Sequence, residues 1–281
     1  MLTCFTLIVI STSVTHAQET RAAVDCMVHL ERARSYEIWN DPRAAEELRA
    51  ALRNRDKRCI DGFLKLSQYL ARGLRFGEAA RTLEEYILET PRQNHTEHLQ
   101  EVQTFRHANR VKKRLENART PDLQDLIYFA RIANGYGRRT VNDALPYAER
   151  AVKLYPSSVE ALMLLADLLM PTRTDEDKVE LLLNQAVAMD TKSARVHSSR
   201  GWFFLFFRGR PEDAEKDFQT ALELDGKDRI AWKGLGYFFM FKGQKKQALS
   251  AFTKYLSLAK PGETNTEIPI VVEQLKEGLD P

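Results

Sequence analysis

Between Arg200 and Arg208 the chain reads GWFFLFF, six bulky apolar residues behind a glycine, set in an otherwise polar sequence. A related stretch, GYFFMF, begins at Gly236. A shift of 34 residues lays Gly209 on Gly243, Ala214 on Ala248, Phe218 on Phe252, Leu222 on Leu256 and Leu224 on Leu258. Upstream, Ala151, Ala186 and Ala221 stand 35 residues apart, with Val152, Val187 and Leu222 beside them. A hydrophobic comb of this period predicts stacked helical hairpins, each too small to bury its apolar face alone. The expected fold class is all-α.

Local signals agree with helices throughout. Glycine and proline, 13 and 10 residues of 281, make up about 8% of the chain against about 12% on average. Small residues at Ala130, Ala166, Gly201 and Gly236 are expected where the two helices of a hairpin approach, answered by Ala144, Ala214 and Ala248 from the second helix. Asp41-Pro42 and Arg210-Pro211-Glu212 put proline at helix starts, with acids at the positive end of the helix dipole. Tyr155-Pro156-Ser157-Ser158 ends one helix and caps the next. The phase slips after Pro91, where the long polar helix TEHLQEVQTFRHANRVKKRLENA intervenes, and a further helix, TEIPIVVEQLKEGL, follows Pro261. Tyr86 and Tyr255 precede these two helices, where the internal hairpins carry Ala151, Ala186 and Ala221. Each extra helix reads as a solvating cap that ends a stack. Two modules are therefore expected: residues 18–118, with two hairpins and a cap, and residues 119–281, with four hairpins and a cap.

The marks within these repeats resemble those of the tetratricopeptide repeat family. AWKGLGYFFMFKGQKKQALSAFTKYLSLAKP carries them as Trp232, Leu235, Gly236, Phe239, Gly243, Ala248 and Phe252. GFLKLSQYLARGLRFGEAARTLEEYILETP carries them as Phe63, Leu66, Ser67, Leu70, Ala79, Leu83 and Pro91. The resemblance implies a right-handed superhelical solenoid of about six such units with capping helices. It also implies a concave groove lined by Trp202, Leu205 and Phe206, then Tyr237, Met240 and Phe241. The equivalent earlier positions are Gln68, Ala71 and Arg72, then Arg131 and Asn134, then Asp167 and Met170. Relatives that grip a peptide carboxylate do so with paired Asn and Lys; here Trp202 and Tyr237 stand where those asparagines would be, so an apolar or amphipathic protein segment is the expected partner.

Charge and targeting signals narrow the function. Acidic and basic residues are interspersed and the net charge is only +3, so no basic stripe is available to neutralise phosphates and no nucleic-acid partner is expected. The basic run RVKKR, Arg110 to Arg114, reads as a solvated helix face. Six apolar residues cannot span a bilayer, which takes about 20. At the N-terminus an apolar stretch from Leu2 to Val14 precedes Thr15-His16-Ala17, the outline of a signal peptide (residues 1–17) cleaved after Ala17. No membrane span is expected once it is removed, and the expected location is the periplasm or the exterior. Cys26 and Cys59 then remain, an even pair in an exported chain. Cys26 opens the first helix of its hairpin and Cys59 follows the second, so antiparallel packing brings them to one end and a disulfide is expected.

Little catalytic chemistry is visible. The cluster NHTEHLQE holds His95, Glu97, His98 and Glu101. His95 and His98 lie one helical turn apart and could reach one metal ion, but their spacing matches neither the H-E-x-x-H nor the H-x-x-E-H zinc-hydrolase pattern. A nucleophile elbow, a phosphate-binding glycine loop and C-x-x-C are all missing from the sequence. No cofactor and no metal are expected. The expected function is a non-catalytic protein-interaction scaffold of the cell envelope. Its alternatives are a structural subunit of an envelope secretion or assembly machine and, in a different class, a metal-dependent hydrolase using His95 and His98.

Overall fold

A computed structural model describes residues 25–37, 41–53, 59–136, 141–259 and 267–277. The signal segment and its cleavage position at Ala17 lie outside the described residues. Helices α1 (25–37), α2 (Arg43–Leu52), α3 (Gly62–Arg72), α4 (Phe76–Glu89), α5 (Thr96–Asn117) and α6 (Leu123–Tyr136) come first. They are followed by α7 (Leu145–Leu154), α8 (Val159–Leu169), α9 (Glu176–Met189), α10 (Ala194–Phe206), α11 (Pro211–Leu224), α12 (Arg229–Phe241), α13 (Lys245–Ser257) and α14 (Glu267–Glu277). Among the described residues there is no strand. The fold is all-α, built by helical repeats.

Helix ends follow the local chemistry. The Ser158 hydroxyl accepts from the Ala161 N–H (3.2 Å) to open α8. Asp175 accepts from Lys178 (3.0 Å) and Asp228 from Ala231 (2.7 Å) to open α9 and α12, each satisfying one of the orphan donors of a helix start. The turns inside the hairpins need a left-handed residue, supplied without steric cost by Gly209 (φ 60°) and Gly243 (φ 70°). Leu74 (φ 55°) plays this part between α3 and α4.

The chain forms two compact units, Met1–Ala144 and Leu145–Pro281. In the first, α3 packs on α2 and α4, and α4 on α5. The sequence places the module boundary after residue 118, with α5 as a terminal cap; in the structure α6 packs on α5 and reaches α3, and the division falls after Ala144. The reason is aromatic. Phe76 of α4 is buried among Phe105 of α5 (ring centres 5.9 Å apart) and Phe129 and Tyr136 of α6 (6.0 and 6.1 Å), so α5 has apolar surface on two sides. In the first hairpin of this unit a disulfide joins Cys26 to Cys59, with Cα atoms 6.4 Å apart and both residues buried against Ala51 and Leu30.

In the second unit consecutive helices from α7 to α14 pack on one another, and α10 also meets α12, the first helix of the next hairpin. Close approach is set by glycine against phenylalanine. Phe218 of α11 lies against Gly201 and Gly234, and Phe252 of α13 against Gly236; a Cβ on Gly234 would come within 2.2 Å of the Phe218 ring. Helix α14 closes the stack by burying Ile268 and Val272 against Phe252 and Tyr255.

Candidate partner-binding site

Helix α10 shows how an all-apolar segment divides between core and surface. Phe203, Phe204 and Leu205 are buried, while Trp202, Phe206 and Phe207 stay partly open. Trp202 and Phe206, one turn apart, set their rings 4.4 Å apart. Tyr237 of α12 meets both edge-on, at 6.1 and 5.4 Å, and Phe206 reaches Phe241 at 6.0 Å. The Lys233 ammonium sits 5.5 Å from the Trp202 ring and 5.8 Å from that of Tyr237, in reach of both π-faces. At the outer edge of this wall Phe241 is 61% exposed and Met240 is open as well.

Beside the wall lies a cavity of about 470 Å³, lined by Asp167 and Met170 from the end of α8, Trp202 from α10, Arg229, Ile230 and Lys233 from α12, and Tyr255 from α13. The Arg229 guanidinium lies 4.6 Å over the Tyr255 ring. Asp167 faces Arg195 at 3.8 Å. The cavity therefore offers apolar and aromatic surface with cationic groups on one side. Tyr237 is tied away from it: its hydroxyl donates to Glu267 of α14, and burial together with this carboxylate pushes the phenol well above its ordinary value.

Of the residues expected to line a groove in this unit, Trp202, Phe206, Tyr237 and Phe241 are in ring contact, Asp167 and Met170 line the cavity with Trp202, and Met240 is exposed. Leu205 does none of this; at 7% exposure it belongs to the core. Gln68 and Arg72 are exposed on α3, and Arg131 and Asn134 on α6, all in the first unit, where Ala71 is buried. Arg229, Ile230 and Lys233, which also line the cavity, were not among the expected residues. Their i, i+4 cations on the first turns of α12 were a usable signal. Asp217 was not expected either, a buried carboxylate that accepts from Nε and Nη2 of Arg200 (2.8 Å each) and faces His197 Nδ1 at 3.3 Å. Those contacts pin α10 to α11.

The histidine pair is compact. His95 is buried, its Nε2–H donating to the Thr90 carbonyl (2.7 Å), and its Nδ1 is 3.3 Å from Nδ1 of His98. Among the described residues no third His, Cys, Asp or Glu joins them as a metal ligand.

The family model described as tetratricopeptide repeat matches residues 136–202 and 205–263. Over these two segments the chain carries tetratricopeptide repeats. Both matched segments fall largely on the hairpins that build the aromatic wall and its cavity, whereas α1 to α4 lie outside them. A thermophilic TPR protein of Thermus thermophilus has a similar solved structure, 18% identical, with 78% of this chain and 99% of that one covered and a TM-score of 0.48. A tetratricopeptide repeat protein of Parabacteroides merdae is 16% identical, with 90% and 99% covered and a TM-score of 0.49. MamA of Desulfovibrio magneticus is 18% identical, with 73% and 97% covered and a TM-score of 0.42. No curated protein matches the chain. Among the described residues no helix is long and apolar enough to cross a membrane.

Proposed function

We propose that this tetratricopeptide repeat protein is a non-catalytic interaction scaffold of the cell envelope, holding an apolar or amphipathic segment of a protein partner against α10 and α12. The observation that carries this reading is the aromatic wall of Trp202, Phe206 and Phe241 beside a cavity of about 470 Å³. Large rings left open around a recess are the usual anchors of a protein interface. Export rests on the apolar stretch Leu2–Val14 and the Thr15-His16-Ala17 pattern. A photo-crosslinking residue at Ile230, in cells, should trap one discrete protein species, and Trp202→Ala should abolish that adduct while leaving helicity unchanged. Equal trapping by the Trp202→Ala variant contradicts the site. The intact mass of exported protein should begin at Gln18; a retained Met1 in exported material contradicts the targeting.

A further inference from the structure

We infer that His95 and His98 form a two-imidazole site for a first-row divalent transition metal, with zinc as the simplest case. The spacing is already suitable. Two nitrogens bound to one ion at about 2.0–2.1 Å in a tetrahedral arrangement stand about 3.3–3.4 Å apart. The two Nδ1 atoms here are 3.3 Å apart. The tautomer of His95 is fixed as well: a carbonyl can only accept, so the 2.7 Å contact with Thr90 holds the ring proton on Nε2 and leaves Nδ1 bare. Metal-ligating histidines are oriented in this way, by a carbonyl on the far nitrogen. The Tyr86 ring stands edge-on to both imidazoles, 5.7 and 5.3 Å away, and fixes their planes.

Without metal, His98 donates its Nδ1 proton to His95. With metal, that proton moves to Nε2 of His98, both rings stay neutral, and the ion takes its place between them. The N-terminal dipole of α5 opposes a cation here, and Glu97 in its first turn offsets it. Two protein ligands leave the remaining positions to water, since no third ligand stands nearby among the described residues.

Zinc chloride titrated into the full chain at pH 7.5, followed by calorimetry, should bind one ion per chain, and His98→Ala should weaken it at least tenfold. Unchanged zinc binding by His98→Ala overturns the site, as does no binding by the unmodified chain. Nitrogen-15 imidazole spectra of the unmodified protein give a test that does not depend on how the variant folds. Zinc should shift Nδ1 of both histidines while His95 keeps its Nε2 proton; coordination through Nε2 overturns the assignment.

Discussion

In the last hairpins Phe218 and Phe252 fill the space left by Gly201, Gly234 and Gly236, and α14 adds Ile268 and Val272 over the last ring. The first hairpin buries Cys26, Ala51 and Cys59 in one cluster, with Leu30 packed against it, and is closed by a disulfide. A repeat has little apolar surface of its own. The α10–α13 hairpins meet that shortage by bringing backbones close enough for one phenylalanine to touch two helices. The first hairpin, whose sequence departs most from the repeat, has no such ring-on-glycine contact among its described residues and a covalent link instead. The same problem is met by packing where the repeat is regular and by a cross-link where it is not.

The largest blow to the packed hairpins should come from Phe252→Ala. Phe252 is fully buried and carries contacts to α12 and α14, and truncating a buried phenylalanine typically costs about 3–5 kcal/mol. Hydrogen exchange should show protection lost over α12 to α14 with α1 to α3 unchanged. Loss spread evenly over the whole chain would contradict the comparison. The reverse experiment is reduction of the Cys26–Cys59 bridge. A cross-link over a separation of 33 residues contributes about 3–4 kcal/mol in the chain-entropy view. Protection should then fall over α1 to α3 and stay intact over α10 to α13. Alkylation of the native oxidised protein should find neither of these thiols free.

Gly234→Ala comes next. Alanine favours helix by up to about 1 kcal/mol over glycine, but its Cβ would stand 2.2 Å from the Phe218 ring. Overpacking of this kind costs about 1–3 kcal/mol, so the clash should win and the melting temperature should fall. Phe218→Leu in the same chain should return part of the loss, because the crowding atoms are those of the ring. A Gly234→Ala variant as stable as the parent would mean that the close approach is not what holds these hairpins.

What could be read in advance follows the same division. The repeat phase named Ala79, Ala144, Ala214 and Ala248, and Ala151, Ala186 and Ala221, and all are fully buried. Tyr86 and Tyr255, standing where those alanines recur, did mark where an irregular helix follows: Tyr86 touches the His95 and His98 rings, and Tyr255 packs on Ile268. Helix α5 was harder, because its charges outnumber the stripe of Val102, Phe105, Ala108, Val111 and Leu115 that it buries. A polar composition suggested a solvated cap, whereas Phe105 of the stripe meets both Phe76 of α4 and Tyr136 of α6. Within GWFFLFF no polar face marks which rings look outward. Leu205 and Phe206 are neighbours, yet one is core and one is wall, a choice made by α11 and α12 rather than by the segment itself.

The smallest expected change in stability is the most informative about function. Phe241 is 61% exposed at the margin of the wall, and its ring meets Phe206 at 6.0 Å. Removing an exposed ring usually shifts stability by about 0.5 kcal/mol or less, so Phe241→Ser should melt with the parent and keep the full protection of α10 to α13. If the wall exists to receive a partner, the same variant should lose the Ile230 crosslink, because an exposed aromatic carries little of the fold and much of an interface. Phe252→Ala would lose that crosslink too, but only by unfolding its surroundings. The two outcomes separate through exchange: lost crosslink with intact protection supports a binding surface, whereas Phe241→Ser losing protection over α12 would make this ring part of the core and withdraw the wall as a site.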